Sequence, residues 1–298
     1  MEELFLDAKD GYKLSLNIFE VENCKAIVQI AHGMEEHKER YNDFAKFLNE
    51  KGFTVVTADM RGHGKFAKDL GYFADKKGYE LLILDQVEII TYIKERFKGK
   101  PIYLFAHSMG TIISRVVLQT KSKDYDKVIL SGYPAYNSAA SLGIFITGIL
   151  KSLHGSKYKS RFIENLGVGA FNRKIKNPKT KIDWICSNAK TLQDYFADPL
   201  CGKGFTVSAF SDLFHLVKDM NKHKNYVNVN HTLPILLLAG SDDPCTRGEK
   251  GRKHSYKILK KAGFNNIKVI TYQGKRHELI NETDKDMIYD DIAEFLEK

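Results

Sequence analysis

Serine, aspartate and histidine side chains follow three separate apolar runs of this chain, and together they can break an acyl bond. Ser108 ends the first run, the neighbours Asp242 and Asp243 end the second, and His277 ends the third. A serine hydroxyl attacks a carbonyl carbon when a histidine takes its proton, and an acid must hold that histidine in place. The sequence therefore predicts acyl transfer with Ser108 as nucleophile and His277 as base.

The residues around Ser108 have the layout of a sharp turn between a strand and a helix. An apolar run leads into Ser108, and a helical pattern begins with Ile112 and Ile113. Such a nucleophile elbow needs small residues two places before and after the serine, which are Ala106 and Gly110 here. Glycine is usual where Ala106 stands. The helix start behind the serine would aim N–H groups at the reacting centre.

Two adjacent aspartates compete for the role of the acid. Pro244 holds the residue before it in an extended conformation, which suits a side chain aimed across the strand ends. This favours Asp243, and Asp242 stays as the alternative. We expect either one to fix the tautomer of His277 and to stabilise its charged form.

The oxyanion that forms during acyl transfer needs backbone N–H donors. The residue after the nucleophile, Met109, supplies one. The other is expected from the loop after the first buried strand, where His32 and Gly33 lead to Met34. Glycine gives this loop the freedom to turn inward, so the predicted oxyanion hole consists of the Met34 and Met109 N–H groups.

Alternating strands and helices must position these groups. After a hairpin of strands at 4–6 and 13–19, the strands are apolar throughout, which is typical of a parallel sheet covered on both faces. We predict these strands at 26–31, 53–58, 102–106, 128–130, 234–239 and 267–272. The predicted helices lie at 41–48, 81–97, 249–261 and 284–296.

The alternation of strands and helices stops between residues 134 and 227, where no strand is recognisable. We therefore predict an α/β core of residues 1–133 and 228–298, with a helical cap of 134–227 laid over the strand ends. The apolar side chains Leu142, Phe145 and Ile146 are candidates to line an acyl tunnel or to enter a membrane, and simple core packing is the alternative. Basic residues beside them favour contact with an anionic membrane surface.

By these features the chain resembles the monoacylglycerol lipase and lysophospholipase branch of the α/β hydrolases, which includes sequences labelled serine aminopeptidase-like. The resemblance covers the whole core and implies Asp243 as the acid. Phe66 departs from the family pattern, as Ala106 does. The pieces Asp183-Trp184 and Asp198-Pro199-Leu200-Cys201-Gly202 look like the cap of bacterial relatives often labelled lysophospholipase. The matching residues are His32-Gly33, Glu36-His37, Arg40-Tyr41, Asp59-x-Arg61-Gly62-His63-Gly64, His107-Ser108-Met109-Gly110, Gly240-Ser241-x-Asp243 and His277-Glu278.

The resemblance implies a cofactor-independent serine carboxylester hydrolase that cleaves monoacylglycerols or lysophospholipids through an acyl-enzyme. Alternatives are a short-chain carboxylesterase, a serine aminopeptidase-like hydrolase and a ligand-binding pseudo-hydrolase. An aminopeptidase would need cap carboxylates for a substrate ammonium group, and basic residues outnumber acids in 134–227. The sequence therefore favours an ester substrate.

Composition excludes several other classes. The 298 residues carry a net charge of +9, which we attribute to a solvated basic surface rather than to nucleic-acid binding. Four scattered cysteines predict neither disulfides nor a zinc site, and with no signal peptide they indicate the cytoplasm. No metal-binding spacing is present. The G-x-G-x-x-A match at 62–67 lacks a following helix, so we expect no dinucleotide cofactor.

Overall fold

The computed structural model describes residues 1–298 and is built around one eight-stranded sheet. Six of its strands coincide within one or two residues with the apolar runs of the sequence, and the other two form the N-terminal hairpin. The strands are β1 (Glu2–Asp7), β2 (Lys13–Phe19), β3 (Ile27–Ala31), β4 (Thr54–Ala58), β5 (Ile102–His107), β6 (Lys127–Ser131), β7 (Ile235–Gly240) and β8 (Ile267–Tyr272).

The strands are arranged in the order β1-β2-β4-β3-β5-β6-β7-β8. Strands β3 to β8 are mutually parallel, whereas β2 pairs antiparallel with β4 and with β1. In a parallel sheet all carboxyl ends meet at one edge. The segments that follow β3, β5, β7 and β8 therefore converge there, and they carry the residues selected from the sequence.

Nine α-helices cover the sheet and fill the segment between β6 and β7. Helices α1 and α9 pack beside each other, and α2 packs against α3. The helices are α1 (Asn42–Glu50), α2 (Gly78–Arg96), α3 (Met109–Lys121), α4 (Ala140–His154), α5 (Arg161–Leu166), α6 (Ala189–Ala197), α7 (Val207–Asp219), α8 (Gly248–Lys261) and α9 (Lys285–Glu297).

Two large apolar clusters stabilise the sheet from opposite faces. Alternate residues of β7 divide between them, with Leu237 in the larger cluster and Leu236 and Leu238 in the smaller one. All residues of β3, β4 and β7 are buried. A strand with both faces covered has no polar alternation, which explains the continuous apolar runs. The predicted α/β-hydrolase fold is confirmed.

The segment between β6 and β7 contains helices α4 to α7 and no strand. Helix α7 packs against α2, α3 and α4, and so ties this segment to the core. Within α4, Ile146 packs against the larger apolar cluster. Leu142 and Phe145 lie on the outer side and are 59% and 66% exposed. None of the nine helices combines the length and the apolar character that a bilayer span demands.

Candidate active site

The structure brings Ser108, His277 and Asp243 together at the carboxyl edge of the sheet. The Oγ atom of Ser108 lies 2.7 Å from Nε2 of His277. The other ring nitrogen, Nδ1, lies 2.9 Å from Oδ2 of Asp243. With Asp243 ionised, Nδ1 is the donor, so Nε2 is left free to accept the proton of the serine hydroxyl.

A strained backbone holds Ser108 at the tip of its turn. Its φ of 49° and ψ of −118° are unusual for a residue with a side chain. A Cβ at Gly110 would lie 2.3 Å from the carbonyl oxygen of Ala31, so only glycine fits there. Ala106 is fully buried, and its methyl group is accommodated within the larger apolar cluster. The elbow therefore forms with alanine in place of the usual glycine.

The two candidate acids have different surroundings. Asp243 is buried, and its Oδ1 accepts the backbone N–H of Cys245 at 2.8 Å while Oδ2 faces His277. Asp242 is exposed, and its Oδ1 accepts the hydroxyl of Ser241 at 2.7 Å. The φ of −73° and ψ of 109° at Asp243 match the extended conformation expected before Pro244. Only Asp243 lies within reach of the histidine.

The charges around His277 favour its protonated form. Burial of the ring lowers its pKa, but the charge and hydrogen bond of Asp243 and the charges of Glu278 and Glu36 outweigh burial and raise it above the ordinary value. The neighbouring ring of His107 lies 4.8 Å away, and burial lowers its pKa to about 4. His107 is therefore neutral beside His277.

One predicted oxyanion donor directly follows Ser108 in the chain, and the other belongs to a loop that approaches Ser108. The N–H of Met109 lies at the start of α3, and the N–H of Met34 lies in the loop after β3. Neither N–H donates a hydrogen bond within the protein. A Cβ at Gly33 would lie 3.1 Å from Cβ of Ser108, so glycine brings this loop close to the nucleophile. Free donors beside a serine are the groups that a developing oxyanion requires.

Two buried neutral histidines support the loop that carries Met34. His32 accepts the Met60 N–H at Nε2 (2.9 Å), so Nδ1 carries the proton and donates to the Gly33 carbonyl at 2.7 Å. Nε2 of His63 accepts the N–H of Glu35 at 3.3 Å. Burial lowers the pKa of His32 to about 4 and that of His63 to about 3. Both rings keep one donor and one acceptor throughout the neutral pH range.

A buried ion-pair network joins the same loop to the segment of His277. Arg40 contacts Glu36 at 2.6 Å and both carboxylate oxygens of Glu278 at 2.7 Å. Glu36 also accepts the Gly33 N–H at 2.5 Å and the Tyr41 hydroxyl at 2.9 Å. Burial alone would raise the pKa of Glu36, but the Arg40 charge helps to lower it to about 2. The network thus fixes the loops after β3 and β8 relative to each other.

The family model described as serine aminopeptidase, S33 matches residues 22–284. The match runs from just before β3 to just before α9 and includes every residue of the site described above. The chain belongs to this family. The resemblance to the monoacylglycerol lipase branch of the α/β hydrolases is thereby confirmed.

Individual relatives of this member of the S33 family are distant but similar over nearly their whole length. A monoglyceride lipase homolog of monkeypox virus is 26% identical, with 88% of this chain and 84% of that protein aligned. A monoacylglycerol lipase of Mycolicibacterium smegmatis is 22% identical, with 91% of this chain and 88% of that protein aligned. The crystal structure of a thermostable carboxyl esterase from Bacillus coagulans is 26% identical in sequence. It superposes with a TM-score of 0.91 over 99% of this chain and 97% of that protein.

The sequence did not indicate how the segment between β6 and β7 of this S33 member contacts the proposed catalytic residues. The rings of Trp184 and His277 lie 5.0 Å apart. The carbonyl oxygen of Glu35 accepts hydrogen bonds from the Gly202 N–H and the Tyr195 hydroxyl, each at 3.1 Å. These contacts join residues about 90 to 170 places apart in the chain, and no local pattern encodes them.

Two clusters of side chains combine types that bind metal ions. One consists of His37, Asp198 and Cys201, and the other contains Cys245 beside the Asp243–His277 pair. In the first, Nε2 of His37 already contacts Asp198 at 2.7 Å and Nδ1 contacts Glu39 at 2.6 Å. Burial opposes protonation of His37, but these carboxylates and Cys201 raise its pKa strongly. His37 is therefore a cation in this cluster, which links the loop after β3 to the segment between β6 and β7.

Proposed function

We propose that this chain is a serine carboxylester hydrolase that cleaves lipid monoesters, such as monoacylglycerols or lysophospholipids, through an acyl-enzyme on Ser108. The hydrogen-bonded series from Ser108 to His277 to Asp243 carries this proposal. The unused N–H groups of Met34 and Met109 complete the set of groups that acyl transfer requires.

Acylation begins when Oγ of Ser108 attacks the ester carbonyl carbon and its proton passes to Nε2 of His277. Negative charge develops on the carbonyl oxygen, where the N–H groups of Met34 and Met109 stabilise it. Asp243 stabilises the imidazolium through Nδ1–H. The bond to the leaving alcohol then breaks, and Nε2 returns the proton to the alcohol oxygen, so the acyl-enzyme forms without net proton change.

Deacylation repeats these steps with water as nucleophile. His277 takes a proton from the water, whose oxygen attacks the acyl carbon, and the oxyanion forms again beside Met34 and Met109. The bond to Oγ of Ser108 then breaks, and Nε2 returns the proton to the serine. The free acid leaves, and the original Ser108–His277 hydrogen bond is restored.

Two observations support a lipid monoester over other carbonyl substrates. The viral and mycobacterial relatives are named for monoglyceride or monoacylglycerol substrates, and they align over most of this chain. The cap segment also exposes an apolar surface, which suits an enzyme that meets its substrate in a lipid phase. We name this surface the cap apolar patch; it consists of Leu142, Phe145, Ile149, Leu153, Phe162 and Leu166, which are between 46% and 70% exposed.

We further propose that residues 134–227 act as a cap whose apolar patch contacts a membrane surface. Basic side chains lie within the same stretch of chain, at Lys151, Lys157, Lys159 and Arg161. Anionic lipids attract such side chains while apolar ones enter the headgroup boundary. The exposure of Leu142 and Phe145 on the outer side of α4 supports contact with lipid rather than with an enclosed acyl chain. Free thiols at all four cysteines support a cytoplasmic setting.

A short-chain carboxylester is the second candidate substrate. The carboxyl esterase of Bacillus coagulans and the viral lipase homolog are each 26% identical in sequence to this chain, and the esterase superposes over 99% of it. In that case the fold and the proposed triad would serve a smaller substrate, and the apolar patch would have no part in binding it.

The rate of hydrolysis of each substrate in a matched panel tests the proposal. The panel holds monoacylglycerols of several chain lengths, a lysophospholipid, a short p-nitrophenyl ester and an aminoacyl amide. Ser108→Ala is the blank, and the exposed Ser138→Ala is the matched control. We expect the long-chain monoesters to be preferred. Turnover of the short ester alone would favour the second candidate, and equal rates with Ser108→Ala would refute both.

A further inference from the structure

An arginine without an acidic partner is buried behind the proposed nucleophile. Arg115 lies on α3, seven residues after Ser108, and is only 4% exposed. Its Nε donates to the carbonyl of Thr111 at 3.0 Å, and its Nη2 donates to the carbonyl of Pro134 at 2.8 Å. Both acceptors are neutral, so the guanidinium charge has no counter-charge within the protein.

A buried charge of this kind is costly unless an opposite charge accompanies it. Burial lowers the pKa of Arg115 to about 10, so the guanidinium is still charged at neutral pH, and the only groups that act against burial are the hydroxyls of Tyr226 and Tyr133, which are themselves neutral. Both tyrosine hydroxyls are buried and have no hydrogen-bond partner. The surroundings of Arg115 therefore combine one uncompensated cation with unused hydroxyl groups.

A small cavity opens beside this guanidinium, between α3, α8 and the end of α7. Its volume is about 10 Å³, room for one particle of about the size of water. Ser255 lines it, is 4% exposed, and its Oγ has no partner. Asn221 also lines it, and its Oδ1 accepts from Nε2 of His254 at 2.7 Å, so its NH2 group remains available. No carboxylate lines the cavity.

We propose that this cavity binds a single monatomic anion of the halide class, held by the guanidinium of Arg115, the hydroxyl of Ser255 and the amide NH2 of Asn221. The cavity offers hydrogen-bond donors and a positive charge, which excludes a metal cation. Its volume of about 10 Å³ suits a monatomic ion better than a phosphate or carboxylate group. A water molecule would satisfy the donors but would leave the charge of Arg115 uncompensated.

The site lies behind the residues of the proposed reaction. Thr111, whose carbonyl accepts from Arg115, donates through its own N–H and Oγ to the carbonyl of Ser108. Pro134 lies two residues after Gly132, and a Cβ atom at position 132 would lie 3.1 Å from Nδ1 of His277. A bound anion would therefore stabilise the folded state at the junction of α3 with the segment after β6, and its effect would saturate with concentration.

Thermal unfolding at constant ionic strength tests this site in solution. Chloride and bromide salts are compared with gluconate, whose anion is too large for the cavity. We expect halides to raise the unfolding temperature by a few degrees in a saturable manner, and gluconate to have no such effect. In crystals grown with bromide we expect an anomalous peak between Arg115 and Ser255.

Variants separate this site from general salt effects. Ser255→Ala removes one donor without burying new atoms and is expected to weaken the halide response several-fold. Lys257→Ala, an exposed change on the same helix, is expected to retain it. An equal response to halide and gluconate, a full halide response in Ser255→Ala, or a bromide peak without any saturable effect in solution would each overturn the proposal, the last as an adventitious ion only.

Discussion

The indole ring of Trp184 and the imidazole ring of His277 lie 5.0 Å apart, so a side chain of the segment between β6 and β7 packs directly on the proposed catalytic base. The planes are inclined by 44°, and Phe171 packs on the indole at a further 5.0 Å. Trp184 is the only tryptophan of the chain. Its fluorescence is therefore sensitive to the state of His277 and is not overlaid by the emission of another tryptophan.

Trp184 fluorescence should follow the protonation of His277. A protonated imidazole quenches a nearby indole, so we expect emission to fall as the pH is lowered through the pKa of His277. His277→Gln should remove this transition, whereas His231→Gln, which changes a residue of the loop before β7, should preserve it. Fluorescence titration of the three proteins measures the effect. A transition that survives in His277→Gln would show that another group is responsible.

The acid limb of the activity profile should lie above the ordinary histidine pKa of 6.5, because the pKa of His277 is raised. Only neutral His277 can accept the serine proton, so kcat/KM falls as the pH drops through that pKa. Glu278→Gln removes a charge that raises it and should move the limb to lower pH. The exposed Glu249→Gln serves as control. An unmoved limb in Glu278→Gln would contradict this electrostatic account.

Substitution of the two adjacent aspartates should have very different effects on turnover. Asp243→Asn leaves His277 without its charged partner, and we expect kcat to fall by about 10⁴-fold. Asp242→Asn changes an exposed side chain that contacts only Ser241, so kcat should stay close to wild type. Steady-state kinetics on a short p-nitrophenyl ester measures both. Similar losses in the two variants would refute the choice of Asp243.

The elbow should tolerate glycine at Ala106 far better than alanine at Gly110. Ala106→Gly removes one buried methyl group and adds backbone freedom, at a cost of roughly 0.5–1 kcal/mol in the free energy of unfolding. Gly110→Ala places a Cβ 2.3 Å from the Ala31 carbonyl oxygen, and we expect a loss of about 1–3 kcal/mol. Urea unfolding measures both. A larger loss for Ala106→Gly would reverse the interpretation of this turn.

The cap apolar patch should determine binding to lipid vesicles. Replacing Ile149 and Leu153 together with serine removes two exposed apolar side chains, and we expect binding to anionic vesicles to weaken by about tenfold. Hydrolysis of a short soluble ester should not change. Met287→Ser, an exposed change on α9, is the control. Vesicle co-sedimentation measures binding, and equal binding by all three proteins would exclude the patch as the contact.

The sequence predicted much of this arrangement because the signals were local. Continuous apolar runs predicted strands β3 to β8, and the turn chemistry around Ser108 and Pro244 depends on immediate neighbours. The choice between Asp242 and Asp243 needed geometry, since the two differ by one place and point to different sides of the backbone. The contact of Trp184 with His277 and the surroundings of Arg115 depend on packing between distant segments.

The hydrogen bonds from Tyr195 and Gly202 to the Glu35 carbonyl have a consequence for exchanging parts between related proteins. They support the backbone one residue beyond Met34. A chimera that receives a foreign segment between β6 and β7 loses this support together with the surface proposed to contact substrate. Substrate selectivity and turnover would then change together. Restoring Tyr195 and Gly202 in the grafted segment would restore the support of the Met34 loop, so that the effect on selectivity could be measured by itself.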